Sequence, residues 1–335
     1  MKKLIFCIGV LVFIFFEGSA AAAPRRAALL LDGAEATAEG SGFNSICLKG
    51  LQNAQKRFGR KIETVSYNIL EDERKRLPTL REAAKRSELL IITSSAYLEY
   101  LPQVAAEFPG RTWVAFETGG PEGVTNIDFR EDEGGFLAGA LAALTTDKGR
   151  PVGIILGERG AVADSFLNGF EAGVWYVSPD VRILSEYTGD YSDGEKAAAA
   201  AKRMSEENVS VIFCAAGAAS AGAIEGAKSG GYMTIGVDTE MERHYPDEVL
   251  ASVVKRSGHV IYMVVTEFLE RRGTFAGKDF SLGLKDECIG ISTWTREAKR
   301  NIPVDVRERL DDISEKIEDG LIVIKKLDSN GLRRN

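Results

Sequence analysis

The sequence predicts an α/β protein with two doubly wound parallel sheets, and three observations indicate this class. Short apolar runs rich in Val, Ile and Leu alternate along the chain with segments of helical periodicity. These runs are continuously apolar, which is typical of parallel strands covered on both faces. The strand–helix pattern restarts once near the middle of the chain, and 335 residues are enough for two domains of ordinary size.

Four strands and three helices are predicted before the restart. The apolar runs predict strands over residues 27–32, 62–67, 89–94 and 112–117. Helical periodicity predicts helices over residues 42–58, 78–85 and 97–107. Pro78 suits the first position of its helix, because the N–H that proline lacks has no helical partner there. Pro102 lies within the third helix and interrupts its first turns.

The second half of the chain repeats the same alternation. Strands are predicted over residues 151–157, 181–187, 209–215 and 232–238, with a last short strand over 321–324. Helices are predicted over residues 133–144, 164–174, 194–206, 221–228, 258–271 and 304–317. Apolar segments over 250–255 and 288–292 stand on either side of the helix over 258–271. The polar tail over 327–335 is expected to fray.

The N-terminus has the layout of a secretory signal peptide over residues 1–22. Two lysines precede an unbroken apolar run over 4–16, and small residues follow it. The run is too short to span a bilayer, which takes about 20 residues. We therefore expect cleavage near Ala22 and a periplasmic protein; an uncleaved anchor is the alternative. Cys7 lies near the start of the run rather than at its end, so no lipid anchor is expected.

Composition and missing motifs exclude several classes of function. The net charge of −7 argues against nucleic acid or an anionic membrane as a partner. Cys47, Cys214 and Cys288 have the spacing of neither a metal site nor a disulfide framework, so free buried thiols are expected. The sequence has no His-Glu-x-x-His, Cys-x-x-Cys, Gly-x-Ser-x-Gly or Walker A motif. We therefore expect no enzyme, no cofactor and no metal.

Polar side chains end several of the predicted strands. These are Asp32, Thr93, Ser94, Glu117 and Asp238. Ligands of open α/β sheets bind beyond the carboxyl ends of the strands, and such polar groups are costly in a core unless they are paired. The pattern predicts a cleft for a polar ligand at these strand ends. The alternative is that each side chain only caps the helix that follows.

A series of short runs also resembles a known family. The runs are GFNS at 42–45, FREDEGGFLAG at 129–139, NGFEAG at 168–173, AAG at 215–217, IGVD at 235–238, SVVK at 252–255 and LGL at 282–284. In this order they resemble the basic membrane protein family, whose members are periplasmic or lipid-anchored nucleoside-binding proteins of the purine nucleoside receptor type. No single run is decisive; the ordered set, from about residue 27 to 324, carries the resemblance.

The resemblance implies a type I periplasmic-binding fold, with two lobes joined by a three-segment hinge and a ligand between them. The N-terminal lobe would comprise residues 23–127 plus 256–285, and the C-terminal lobe residues 128–255 plus 286–326. It further implies a monomeric solute receptor that works with the permease and ATPase subunits of an ABC importer. A nucleoside, with purine favoured, is the expected ligand. Another small polar solute, such as a sugar or a signalling molecule bound by a sensor, is the alternative.

The resemblance assigns roles to residues that match its motifs. Phe43 and Asn44 match a Phe-Asn pair whose aromatic ring would stack on the base, an interaction of about 1–3 kcal/mol. Asp238 matches the acid that holds the ribose hydroxyls. Lys255 matches the lysine beside it, which can donate to a ribose oxygen and neutralise Asp238. Phe43 as a core residue and Lys255 as a solvated hinge charge are the alternatives.

The remaining candidates include two departures from the family pattern. Tyr191 matches the second aromatic, with Tyr187 as another candidate and a surface loop position as the alternative. Gly217 belongs to the loop AAGAAS at 215–220, where the family has AAGGTG. Glu117 stands where the family usually has Asp, and its extra methylene moves the carboxylate by about 1.5 Å. Asp32 is kept as a ligand-binding candidate. Because of these two departures, a smaller pocket and a different ligand both stay open as alternatives.

Overall fold

The computed structural model describes residues 23–33, 42–70, 72–117, 120–147, 149–270, 277–292 and 294–325. The predicted signal peptide with Cys7, and the tail over 327–335, lie outside the described residues.

Strands and helices alternate over most of the described chain. The strands are β1 (Arg25–Leu31), β2 (Ile62–Asn68), β3 (Leu89–Ile92), β4 (Thr112–Phe116), β5 (Thr125–Phe129), β6 (Val152–Leu156), β7 (Ile183–Tyr187), β8 (Val211–Ala215), β9 (Met233–Asp238), β10 (Val249–Lys255), β11 (Asp279–Leu282) and β12 (Ile289–Ile291). The helices are α1 (Phe43–Phe58), α2 (Glu73–Arg86), α3 (Leu101–Glu107), α4 (Glu131–Thr145), α5 (Ala161–Val177), α6 (Gly194–Glu206), α7 (Ser220–Glu225), α8 (Ala227–Gly230), α9 (Ser257–Glu270), α10 (Arg296–Asn301) and α11 (Val304–Glu318).

The first sheet has the strand order β11-β5-β4-β3-β1-β2, and its pairs are all parallel. Successive residues of β1 face opposite apolar layers: Leu29 packs with α1 and α9, whereas Leu30 packs with α2 and α3. Because both faces are covered, residues 27–31 of β1 and all of β3 are continuously apolar, as predicted from the sequence.

The second sheet has the strand order β12-β10-β9-β8-β6-β7. Its pairs are parallel except for β12, which is antiparallel to β10. Ile154 of β6 packs with α4, α5 and α11, and Ile155 packs with α6, α7 and α8. The two orders correspond strand by strand, so β4 of the first sheet occupies the same position as β9 of the second. The predicted class of two parallel-sheet α/β lobes is confirmed.

The described chain passes between the two sheets after β5, after β10 and after β11. These passages are the three segments expected of the hinge. β5 continues through Phe129, so the predicted lobe boundary at residue 127 falls inside this strand; the lobe limits themselves stay a prediction. No helix in the described ranges combines the length and apolar character that a bilayer crossing requires.

The predicted start of the second helix at Pro78 is wrong. α2 begins at Glu73, after Asp72, whose side chain accepts a hydrogen bond from the N–H of Arg74 at 3.2 Å. Pro78 therefore lies inside the helix. It is exposed, so a carbonyl that loses its helical partner there can bind water instead.

Two other predicted helices are shorter than expected. α3 begins at Leu101, with Pro102 in one of its first two positions, because proline fits the first turn without loss of a helical bond. Residues 95–97 form a separate 3-10 turn. The helix predicted over 221–228 is divided into α7 and α8.

The last predicted strand, over residues 321–324, does not form. The N–H groups of Leu321 and Ile322 both donate to the carbonyl oxygen of Lys316 in the last turn of α11. Those donors close the end of the helix and are not available to a sheet. Burial still alternates as in a strand, since Val323 is exposed and Ile324 is buried; this alternation explains the wrong prediction.

Glycines set the contact between α4 and α5. A Cβ on Gly139 would overlap the carbonyl oxygen of Phe170, and a Cβ on Gly173 would overlap that of Phe136. The other two glycines of this close contact are Gly135 and Gly169. The Gly-x-x-x-Gly spacing within 129–139 and 168–173 therefore serves backbone-to-backbone packing of two helices in the second lobe.

Candidate functional site

A cavity of about 680 Å³ lies between the carboxyl ends of the strands of the two sheets. All of the predicted site residues line it: Asp32, Phe43, Asn44, Glu117, Tyr191, Gly217, Asp238 and Lys255. The other candidate aromatic, Tyr187, does not. Its hydroxyl donates to the Asp164 carboxylate at 2.6 Å, and the guanidinium of Arg159 lies over its ring. Tyr187 therefore takes part in contacts outside the cavity.

Two acids occupy corresponding strand ends in the two sheets. Glu117 directly follows β4, and Asp238 ends β9. Both have left-handed backbone conformations, with φ of +56° and +67°. A strained backbone conformation costs on the order of 1–3 kcal/mol and is concentrated at functional sites. The fold therefore holds two carboxylates in the cavity at some cost in stability.

Lys255 lies between these acids at the end of β10. Its side chain is 4% exposed, and its ammonium forms ion pairs with Glu117 and, at 2.8 Å, with Glu131. The rings of Phe43 and Phe129 lie 5.5 and 4.8 Å from Nζ, within the range of cation–π attraction. We call this part of the cleft, around Glu117, Asp238 and Lys255, the hinge end.

The predicted ion pair between Lys255 and Asp238 is replaced by another arrangement. Glu131, the first residue of α4, is 4% exposed and takes one side of the ammonium. Glu117 pairs with the same ammonium. Among the described residues, the Asp238 carboxylate has no ion pair or hydrogen bond of its own. Glu131 lies within the run FREDEGGFLAG but was not predicted as a site residue, since only the three-dimensional structure brings it to Lys255.

Burial and charge shift the pKa values at the hinge end. Burial alone would lower the pKa of Lys255, but the carboxylates of Glu117, Glu131 and Asp238 outweigh it and hold the pKa above its usual range. Burial raises the pKa of Asp238 to about 6, although Lys255 acts in the opposite direction. Burial also raises the pKa of Glu131. The lysine therefore stays charged, and Asp238 and Glu131 titrate closer to neutral pH than usual.

Phe43 and Tyr191 approach the cavity from the two lobes. Phe43 is the first residue of α1. Tyr191 follows β7, and its ring occupies the space where a side chain on Gly157 would lie. Gly217, with φ of +55°, lies against the same tyrosine. Two glycines thus make room for one aromatic ring; Gly157 was not predicted, because its role depends on a contact distant in sequence.

An ion pair defines the other end of the cleft, which we call the outer end. The side chain of Asp32 is 3% exposed, and Oδ2 accepts a hydrogen bond from Nε of Arg76 at 3.1 Å. Arg76 also lines the cavity. It was not predicted, because the second helix was expected to begin only at Pro78. Nearby, the Asn44 amide donates to the main-chain carbonyl of Asp32 at 3.2 Å.

The chemistry of the cleft is that of a binding site for a polar molecule. Within the described residues, no group of His, Cys, Asp and Glu side chains is arranged to hold a metal ion. Cys47, Cys214 and Cys288 are free and buried, as expected. Carboxylates, one lysine, one arginine, several hydroxyl and amide groups and four aromatic residues line the cavity and can contact a ligand.

Comparison with known proteins points in the same direction. The family model of PnrA-like ABC transporter substrate-binding proteins matches residues 27–328. Basic membrane protein B of Borrelia garinii subsp. bavariensis is 29% identical over 308 residues, which cover 87% of this chain and 89% of that protein. Basic membrane protein A of Borreliella burgdorferi is 28% identical over 340 residues, covering 97% and 96%.

Solved structures share the fold at low sequence identity. An ABC transporter solute-binding protein from Aeropyrum pernix K1 superposes with a TM-score of 0.79 at 22% identity, covering 92% of this chain and 95% of that one. A periplasmic solute-binding protein from Actinobacillus succinogenes 130z, solved with bound D-allose, superposes with a TM-score of 0.60 at 16% identity, covering 74% and 92%.

Proposed function

The chain belongs to the PnrA-like family of ABC transporter substrate-binding proteins, and from this premise we propose that its substrate is a nucleoside, with purine favoured. As a member of this family it is a solute-binding protein that serves a transporter. The proposed partners are the permease and ATPase subunits of an ABC importer, to which a monomeric receptor delivers the nucleoside.

One observation carries the proposal: the Asp238 carboxylate lies in the cavity beside Lys255, while Phe43 and Tyr191 line the same cavity. A carboxylate can accept hydrogen bonds from both hydroxyls of a cis-diol, and bonds to a charged acceptor are stronger than neutral ones. The aromatic rings offer faces on which a base can stack. A sugar and an attached base are the two chemical parts that these groups suit.

The strand order supports a ligand with two parts. Asp238 ends the third strand of its sheet, and Glu117 follows the corresponding strand of the other sheet. Asp32 follows the fifth strand, two inter-strand spacings further from the hinge, or about 10 Å. This distance suits a ribose at the hinge end and a base at the outer end.

A simple sugar is the second candidate. Carboxylates that suit a ribose diol also suit the vicinal hydroxyls of a hexose, and the related fold from Actinobacillus succinogenes was solved with D-allose. The two candidates differ in what the aromatic rings contribute. A nucleoside needs both the sugar and the base, whereas a sugar binds without any base.

Calorimetric titration of ligand-free protein tests the proposal. The panel comprises inosine, guanosine and adenosine, the matching free bases, D-ribose and D-allose. We expect at least one nucleoside to bind about 100-fold more tightly than its free base or ribose, since both halves of the ligand contribute. Binding of a sugar with no gain from a base would favour the second candidate. Absence of nucleoside binding would rule the proposal out.

The proposal includes export from the cytoplasm. We propose that residues 1–22 are removed as a signal peptide, with cleavage near Ala22, and that Cys7 carries no lipid anchor. N-terminal sequencing of the protein from its native host tests this. A mature chain beginning near Ala23 is expected, and an acylated N-terminus would contradict it.

A further inference from the structure

Arg76 is a cation in the wall of the cleft that the assigned roles leave unused. Its guanidinium donates from Nε to Asp32 and from Nη1 to Glu73, both at 3.1 Å. The Arg76 side chain is 19% exposed. Glu73 is 77% exposed, so this second pair is weak and easily exchanged for another partner. The pair with Asp32 is the one that fixes the position of Arg76.

The ion pair turns the outer end of the cleft into a donor surface. Asp32 accepts from Arg76 with Oδ2 and from the N–H of Gly33, at 2.9 Å, with Oδ1. Its carboxylate is therefore already engaged. A guanidinium has five N–H donors and no acceptor, and the bonds within the described residues use two of them. What Arg76 offers a ligand here is a planar pair of N–H groups.

The sheet order brings this donor surface to the base, if the proposed function holds. Asp32 lies about 10 Å along the sheet edge from the strand that Glu117 follows, and Glu117 lines the same cavity as Asp238. A nucleoside with its ribose at Asp238 would point its base toward Arg76. This step, and the inference built on it, rest on the proposed nucleoside.

The geometry points to a 6-oxopurine nucleoside, inosine or guanosine, as the preferred ligand, with Arg76 reading O6 and N7 of its base. These two atoms are adjacent acceptors, and a guanidinium binds them with two parallel hydrogen bonds. Adenine carries an amino group in place of O6, so this hydrogen-bond donor would face an N–H donor of Arg76. Asp32 acts as the positioning residue that holds Arg76 in this orientation.

Three ligands and the parent protein give the first test. In calorimetric titrations we expect inosine to bind about 10- to 100-fold more tightly than adenosine, the discrimination of one bidentate contact. 7-Deazainosine, which lacks the N7 acceptor, should bind more weakly than inosine. Equal affinities for inosine and adenosine would overturn the inference and leave the proposed function intact. Absence of binding by any nucleoside would instead overturn the proposed function, and the inference with it.

The Arg76→Lys variant separates recognition from support of the fold. Lysine keeps a positive charge near Asp32 but loses the planar pair of donors. We expect the preference for inosine over adenosine to fall below about 3-fold, mostly through weaker inosine binding, while the melting temperature stays near that of the parent. Arg76→Met is less informative, because it leaves the buried Asp32 charge without its partner.

Arg81→Lys is the matched control, since Arg81 lies on the same helix and pairs with Glu107 at the surface. It should keep the parent's preference. If Arg76→Lys instead weakens inosine and adenosine by the same factor, Arg76 only supports the site and the inference is wrong.

Discussion

At the scale of single residues, the hinge end holds three acids around one positively charged lysine. The ammonium of Lys255 pairs with Glu117 and Glu131, which leaves the carboxylate of Asp238 facing the cavity. This arrangement gives the lysine a supporting role: it lowers the cost of keeping Asp238 ionised in a buried place. The residue expected to contact the ligand most strongly is therefore Asp238.

Removal of the Asp238 carboxylate is predicted to weaken nucleoside binding. Asp238→Ala deletes a charged acceptor for two hydroxyls, each bond contributing about 1.5–3 kcal/mol. We expect a loss of at least about 100-fold in affinity, or about 2.7 kcal/mol, while a free base, which has no diol, loses far less. Calorimetry measures both. Asp180→Ala, at an exposed position of the same lobe, is the control. Unchanged nucleoside affinity in Asp238→Ala would show that the acid only shapes its loop.

The raised pKa of Asp238 predicts pH-dependent binding. The ionised acid is the acceptor, and burial raises its pKa from 3.8 to about 6. Below about pH 6 the free protein holds a proton that binding must release, so affinity should fall by up to about tenfold per pH unit. Lys255 and Glu117 are the charged groups that act on this carboxyl, and Lys255 stays charged throughout. Calorimetric titrations at pH 5, 6 and 7 measure this dependence, and a constant affinity would contradict the prediction.

The raised pKa of Asp238 also makes the stability of the fold depend on pH, in the direction opposite to that of binding. An acid whose pKa is higher in the folded than in the unfolded state binds protons more readily when folded. Its contribution to stability is therefore largest below the unfolded value and is lost as the pH rises through about 6. The ligand-free protein should consequently gain stability from Asp238 in the pH range in which it loses affinity.

Where a strand end or a family run marked a position, the sequence was enough to predict that the residue lines the common cavity. Strand ends of parallel sheets meet at one edge, so Asp32, Glu117 and Asp238 could be expected to share a cleft. Arg76 and Glu131 could not be selected in the same way. Their roles depend on partners 44 and 124 residues away in sequence, and no local pattern specifies these contacts.

At the scale of elements, α4 and α5 approach so closely that glycine is required on both. The backbones meet at four positions: Gly135, Gly139, Gly169 and Gly173. α5 also brings Val162, Ala163 and Phe166 to the cavity wall. The glycine contact therefore fixes the position of a helix that lines the site, although none of these glycines lines the cavity itself.

Gly139→Ala is predicted to destabilise the protein. Alanine normally favours a helix over glycine by about 0.5–1 kcal/mol, but here its Cβ would overlap the main-chain oxygen of Phe170, which cannot move without shifting α5. We expect a net loss of about 1–3 kcal/mol in the free energy of unfolding, measured by urea denaturation. Gly110→Ala, where nothing lies near the added Cβ, should change stability by less than about 0.5 kcal/mol. Equal midpoints for the two variants would contradict close packing at Gly139.

Elements were predictable from sequence where burial made them uniformly apolar. β3, β6 and β8 are buried along their whole length and were expected. β5 and β11 were missed, since TNIDF and DFSL mix polar and apolar residues; three of the four residues of β11 are exposed at the sheet edge. Tertiary pairing alone makes these segments strands.

At the scale of the whole molecule, contacts at the hinge end join the two lobes. Lys255 ends a strand of the second sheet, whereas Glu117 follows a strand of the first. The ligand proposed here would add contacts of the same kind, because Phe43 and Tyr191 belong to different lobes. A molecule that contacts both lobes binds their closed arrangement more tightly than their open one. It shifts the equilibrium toward the closed state by this difference in affinity.

Small-angle X-ray scattering with and without saturating nucleoside tests this account most directly. We predict that inosine lowers the radius of gyration of the parent protein, and that its free base hypoxanthine and D-ribose do not. At the same nucleoside concentration, Asp238→Ala should keep the radius of the ligand-free parent. An unchanged radius at a nucleoside concentration that calorimetry shows to be saturating would contradict a nucleoside held between two closing lobes.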